Sequence, residues 1–232
     1  DWDFSHVRKE EDWNDPEIMK KVWPNGSSDT YMAGVILREF AEKGEKALIY
    51  SGCNHAYTRY RQPYRDKDGK WVLNDGRMGN LVHRKIGSRC FNIYLHAPWP
   101  SAEGYDEEVL AADGYIDALI ASLPGKLRRA GFDVKGSPFG TLPGATSYWH
   151  NGYHNFNLGM YCDGYVIQKP LKEYEGVRVI PGFINEENRL AAIAQSANPK
   201  SKDKRTSVEK LMSWMERDTE IQRIFKAMVI GY

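Results

Sequence analysis

Two histidines stand where an apolar stretch gives way to polar residues. His55 closes the run from Lys46 through Leu48, Tyr50 and Gly52, and His96 closes the run from Phe91 through Leu95. A neutral imidazole takes up a proton or ligates a metal near pH 7. Asn54, beside His55, offers an amide that polarises a carbonyl or orients a ligand. Asp29 lies at the start of the preceding helical pattern, where it orients one of these side chains or serves as a helix cap. If residues 46–51 and 91–96 are parallel strands of one sheet, both histidines open onto the rim beyond the strand ends. Open α/β sheets bind their ligands there. The expected catalytic set is therefore His55, His96, Asp29 and Asn54, with His55 and His96 also the expected metal ligands. The plainer reading stays open beside it: each histidine satisfies buried backbone and Asp29 only caps.

A second group follows directly. Between His55 and Arg65 the chain interleaves Tyr57, Tyr60 and Tyr64 with Arg59, Arg61 and Arg65, and Arg77, His83, Arg84 and Arg89 come soon after. Arginine forks hold carboxylates and phosphates by two-point bonds, and tyrosine rings add a stacking surface. Tyr57, Arg59, Tyr60, Arg61 and Arg77 are the expected substrate contacts, joined by Trp149 from the aromatic run 148–154. The alternative is a solvated loop whose arginines pair with Asp66, Asp68 and Asp75. His150 and His154 have metal spacing only on a helix, and Gly152 argues against one, so this run reads as a lid or binding loop. Glu186 and Glu187 suit the first turn of a helix. The chain has no P-loop, no G-x-S-x-G and no G-x-G-x-x-G.

The elements that must position these residues follow from pattern. Tyr31, Val35, Ile36 and Phe40 recur at helical spacing, so 30–43 reads as an amphipathic helix stopped at Gly44. Residues 46–51 read as a buried strand closed by Gly52. A long polar excursion over 56–90 contains a turn at Asp66–Gly69 and a short hairpin arm from Lys70. A second buried strand covers 91–96. Residues 105–122 carry a helical pattern broken at Gly114, and 132–134 and 164–168 read as further strands. Residues 136–162 read as a shaped loop, 185–197 as a helix, and ~206–229, within 200–232, as a C-terminal helix. Together they predict one α/β domain over 1–232, with a mostly parallel central sheet, flanking helices and long aromatic-rich loops.

Composition narrows the partners. Across 232 residues the formal net charge is +1, which gives no global preference for nucleic acid or an anionic membrane. No apolar run approaches the ~18 residues of a membrane span. The three cysteines lack metal-type spacing, and an odd number does not make a complete disulfide framework. The chain opens at Asp1 rather than Met, which reads as a processed, trimmed or N-terminally shortened chain. Oligomeric state is not legible.

One segment resembles a known family. Asp29-Thr-Tyr-Met32-Ala33, a helix, and then a strand ending Gly52-Cys-Asn-His55 is similar to a segment of the erythromycin esterase / ChaN / Tiki-like superfamily. Members show an Arg-Asp-x-x-Met-Ala helix and a strand ending in Gly-Asn-x-His. Asp29, Met32, Ala33, Gly52 and His55 match, Ser28 replaces the Arg, and the last motif reads Gly-Cys-Asn-His. The match covers roughly residues 28–57. The family's N-terminal Gly-x-x-His or Gly-Glu-x-x-His element is not found in this chain. The resemblance implies an α/β sheet with flanking helices, an exported or periplasmic setting, and a hydrolase with a divalent metal or, alternatively, a haem-binding protein. Only His55, with Asp29 in support, carries over.

Three functions use these residues. The first is a hydrolase acting on an anionic or carbonyl-containing substrate. In it His55 is base or metal ligand, His96 assists, Asn54 polarises a carbonyl, and Arg59 and Arg61 hold the anionic part. The second is a haem or anionic-ligand binder with Tyr57, Tyr60 or His55 on the iron. The third is a lyase on uronic-acid polysaccharides, with Arg neutralising the carboxylate and Tyr or His removing the α-proton. All three expect a small-molecule or saccharide ligand with anionic groups.

Overall fold

In a computed structural model, the structure describes residues 4–9, 11–12, 15–24, 26–174, 180 and 182–196. The expected C-terminal helix lies outside these residues. In chain order the elements are α1 (Pro16–Val22), α2 (Ser28–Ile36), α3 (Cys53–Ala56), β1 (Gln62–Arg65), β2 (Trp71–Asn74), α4 (Met78–Ile86) and β3 (Ile93–Leu95). They continue with β4 (Trp99–Ser101), β5 (Gly104–Val109), α5 (Tyr115–Ser122), β6 (Ala130–Asp133), α6 (Leu158–Tyr161), β7 (Gly164–Ile167) and α7 (Arg189–Ser196).

The chain divides into two compact units, one of Asp1–Pro24 with Lys172–Tyr232 and one of Asn25–Leu171. In the first, Asp15 caps α1 by accepting the backbone N–H groups of Glu17 and Ile18, with Pro16 at the opening position. Asn185 likewise accepts the N–H groups of Glu187 and Asn188 just before α7. The second unit holds all the candidate site residues.

The sheet content of that unit corrects the expected mostly parallel central sheet. Its strands form three small sheets: a β1–β2 hairpin, a β4–β5 hairpin, and a mixed sheet in the order β3–β7–β6. Only β3–β7 is parallel, with Tyr94 opposite Tyr165, and β6 runs antiparallel to β7. The physical reason lies in residues 46–51. They form no helix and join no ladder among the described residues, and Leu48 and Tyr50 are 91% and 89% exposed. An apolar run becomes a buried strand only when neighbours satisfy its backbone. Of the two strands expected to end in histidine, β3 alone enters a sheet.

Other elements differ more locally. α2 continues through Leu37–Ala41 in wider π-type turns. The excursion over 56–90 contains α4 as well as the β1–β2 hairpin. Residues 104–109 pair with β4 as a strand, and the helix begins only at Tyr115. Ala112 and Asp113 before it both have φ of 52°, and Gly114 has φ of 82°. The strained turn is secured by Asp113, whose carboxylate accepts the N–H groups of Ala145 and Thr146 and the Thr146 hydroxyl.

The core is aromatic. Tyr57, Tyr60, Trp99, Trp149, Tyr161 and Tyr165 pack with Ile116, Leu158 and Ile167. A smaller apolar cluster, Ala33, Met78 and Val82 with Met32 and Ile36, joins α2 to α4. Gly79 allows α4 to lie against the end of α3, since a Cβ there would sit 2.6 Å from the Ala56 carbonyl oxygen.

Candidate functional site

The α2–α4 contact places Asp29 beside His55. Ser27 caps α2 by accepting the Thr30 N–H, which frees Asp29 in the first turn to face inward. Its Oδ1 accepts the His55 Nδ1–H at 2.7 Å and the Met78 backbone N–H at 2.7 Å. Its Oδ2 faces Arg77 Nη1 at 3.3 Å. Arg77 Nε in turn donates to Gln62 Oε1 at 2.9 Å. Asn80 fixes the intervening chain, donating to the Thr58 and Tyr60 carbonyls at 2.8 Å each. Asp29 is buried, with 8% of its side chain exposed, whereas that of His55 is 36% exposed. One imidazole nitrogen is thus fixed by a buried carboxylate, and Nε2 has no partner among the described residues.

Two neighbours complete this constellation. Asn54 Oδ1 accepts the Tyr57 hydroxyl at 3.1 Å, which leaves its amide N–H groups to donate elsewhere. The Cys53 thiol faces the same oxygen at 3.5 Å. Cys53 is exposed as a residue, but the protein atoms around its sulfur desolvate the thiolate and push the thiol above its ordinary range, against smaller opposing contributions from the Tyr57 and Tyr161 hydroxyls.

His96 is placed differently. A carboxylate can only accept, so Nε2–H donates to Asp117 Oδ1 at 3.2 Å while Nδ1 accepts the Tyr165 hydroxyl at 2.8 Å. The His96 side chain is 0% exposed. Asp117 comes from the first turn of α5, directly after the strained Ala112–Gly114 turn. His96 is the centre of a closed interior triad rather than a group on an open rim.

The remaining expected contacts separate into two sets. Tyr57, Tyr60 and Trp149 are buried in the aromatic core, with the Tyr60 hydroxyl donating to the Trp149 carbonyl. Burial pushes the Tyr57 and Tyr161 phenols well above their ordinary range. Arg59 is engaged by the buried Asp163, Nη2 to Oδ1 at 2.5 Å. Arg84 pairs with Asp75, and Arg65 lies over the Trp71 ring. Arg61 is exposed and forms no ion pair among the described residues. It lines a cavity of about 310 Å³ with Arg59, Tyr60, Tyr153, Gly159 and Met160. The 148–154 run is a single turn rather than a helix, and His150 Nδ1–H donates to the Ser147 carbonyl.

The expected metal finds no matching ligand set. Among the described residues no three His, Cys, Asp or Glu side chains converge to hold an ion, and both ring nitrogens of His96 are taken. The haem ligation expected of Tyr57 and Tyr60 meets hydroxyls already bonded to Asn54 and Trp149. No helix of the described residues is long and apolar enough to cross a membrane.

Sequence reasoning missed Asp117, Tyr165, Asp163, Gln62 and Asn80. Asp163 and Asp117 carried one available signal, an acid inside an otherwise apolar or aromatic stretch, because a buried charge calls for a partner. In comparisons with known proteins no family model, no curated protein and no solved structure matches the chain.

Proposed function

We propose that the chain is a hydrolase in which the Asp29–His55 pair acts as general base on an ester or lactone carbonyl. The observation that carries this reading is an imidazole fixed at Nδ1 by a buried carboxylate, with Nε2 open. In the reaction, Nε2 takes a proton from water as its oxygen bonds to the carbonyl carbon. Asp29 balances the imidazolium charge that forms. The carbon–oxygen bond to the leaving group then breaks, and the same proton passes to the departing oxygen. The Asn54 amide and the remaining Arg77 N–H groups are the donors for the negative oxygen of the intermediate. The local resemblance to the erythromycin esterase / ChaN / Tiki-like superfamily agrees with this reading, since it rests on Asp29 and His55.

The rival readings find less support. A phenol acting as lyase base is favoured by a lowered pKa, and burial raises Tyr57, Tyr153 and Tyr161. The test is turnover of p-nitrophenyl esters and small lactones by wild type and His55→Ala, with the thermal midpoint followed beside it. Loss of a general base is expected to lower turnover by about 10²–10⁴-fold, with the fold retained. Equal turnover in the two proteins, or unfolding of the variant, would overturn the reading.

A further inference from the structure

We infer that the cavity lined by Arg61 and Tyr153 binds a ring-bearing monocarboxylate. The inference names an anionic end for the substrate of the proposed hydrolase, and it rests on that reading for the ligand's fate alone.

Charge decides the valence. Two arginines line the cavity, but Arg59 is compensated by Asp163, which is 4% exposed. Asp163 is held there by the Asn92 N–H at 2.9 Å and the Thr58 hydroxyl at 3.3 Å, so this pair is part of the fold. Arg61 has no acidic partner among the described residues. One uncompensated fork matches one carboxylate, in two-point geometry.

Size and shape decide the rest. A volume of about 310 Å³ lies at the small end of ligand sites, roughly 300–1,000 Å³, so it accommodates one ring. The Tyr153 ring stacks on Tyr60 with centroids 5.3 Å apart and planes at 17°. Its hydroxyl is held on both sides by Arg61 backbone, accepting the N–H at 2.9 Å and donating to the carbonyl at 2.7 Å. The aromatic wall and the backbone that carries Arg61 are therefore locked together before any ligand arrives, which lowers the entropy cost of binding. Met160 adds a polarizable apolar contact. The cavity and the general base lie on one stretch of chain, since six residues from His55 to Arg61 span at most about 22 Å.

The test is calorimetric titration of the full chain with D-galacturonate and benzoate, each beside its neutral counterpart, D-galactose and benzamide. Wild type is expected to prefer at least one acid over its counterpart by about tenfold or more. Arg61→Gln should erase that preference, Arg61→Lys should keep part of it, and His55→Ala should leave it unchanged. Preference for galacturonate alone identifies a sugar acid, and for benzoate alone an aryl acid. Either result supports the site. Equal affinity for acid and neutral partner, a preference that survives Arg61→Gln, or no binding of either acid overturns it. Loss of hydrolysis in His55→Ala without any acid preference would remove this inference and leave the proposed reaction standing. An acid preference with hydrolysis indifferent to His55 would do the reverse.

Discussion

The unit from Asn25 to Leu171 contains two histidine–aspartate pairs that share their chemistry and differ in access. In Asp29–His55 the carboxylate is buried, the ring is partly exposed, and one nitrogen is bonded. In Asp117–His96 the ring is fully enclosed and both nitrogens are bonded, one of them to Tyr165. The first arrangement can exchange a proton with a ligand. The second can only hold β3, β7 and α5 in place. What separates a reagent from a brace is the number of open ring nitrogens, not the residue pair.

The largest expected effect tests that division. His96→Ala leaves Asp117 facing an interior space with no cationic or N–H partner from the ring, and Asp117 Oδ2 already lacks a hydrogen-bond partner among the described residues. Removing one partner of a buried pair costs about 3–5 kcal/mol, read as a shift in the urea midpoint at constant slope. His55→Ala should stay within about 1 kcal/mol of wild type, because the ring is partly exposed and the buried Asp29 keeps the Met78 N–H and Arg77 as partners. Equal losses in the two variants would break the comparison.

A smaller effect comes from Gly79. An alanine Cβ would press on the Ala56 carbonyl oxygen and drive α4 from the end of α3. Overpacking of this kind costs roughly 1–3 kcal/mol. It also moves the Met78 N–H away from Asp29, so turnover should fall further than stability alone explains. Gly34 is the matched control, because its Cβ would meet nothing within 4 Å on α2. Gly34→Ala should stabilise by about 0.5–1 kcal/mol through helix entropy and leave turnover unchanged. If Gly79→Ala behaved like Gly34→Ala, the close approach of α4 would have no part in positioning the open pair.

The open pair was legible in the sequence and the closed triad was not, for a physical reason. Asp29 and His55 lie on successive elements, and their residue types suggest each other. Tyr165 meets His96 from 69 positions away, and nothing local in either stretch announces that bond. Helical spacing marked α2 well, because a helix satisfies its own backbone. It misread 105–109, whose strand pairs with β4, and it promised a sheet for 46–51 that the described neighbours do not supply. A strand's pattern states which face is apolar but not whether a partner exists. The tyrosines show the same limit. Residue type marks Tyr57 and Tyr60 as ligand contacts, yet aromatic mass serves a core equally well.

The last prediction concerns Cys53, because by type it completes a cysteine–histidine–aspartate set with the open pair. Such a nucleophile needs its thiol activated, by a hydrogen bond to the imidazole or by a lowered pKa. Neither is present. Among the described residues its sulfur meets Asn54 Oδ1 and the Tyr57 and Tyr161 hydroxyls, not the imidazole, and desolvation raises the thiol rather than lowering it. A raised pKa means less thiolate near neutral pH, so iodoacetamide should alkylate Cys53 more slowly than an unperturbed thiol. The rate should keep climbing with pH beyond the point where the unperturbed thiol levels off. Cys53→Ser should keep turnover within a few-fold of wild type, since water supplies the attacking oxygen. Rapid alkylation near neutral pH, together with loss of turnover in Cys53→Ser, would instead make the thiol the nucleophile. The open pair would then activate sulfur rather than water, and its contrast with the closed triad would hold for a different reaction.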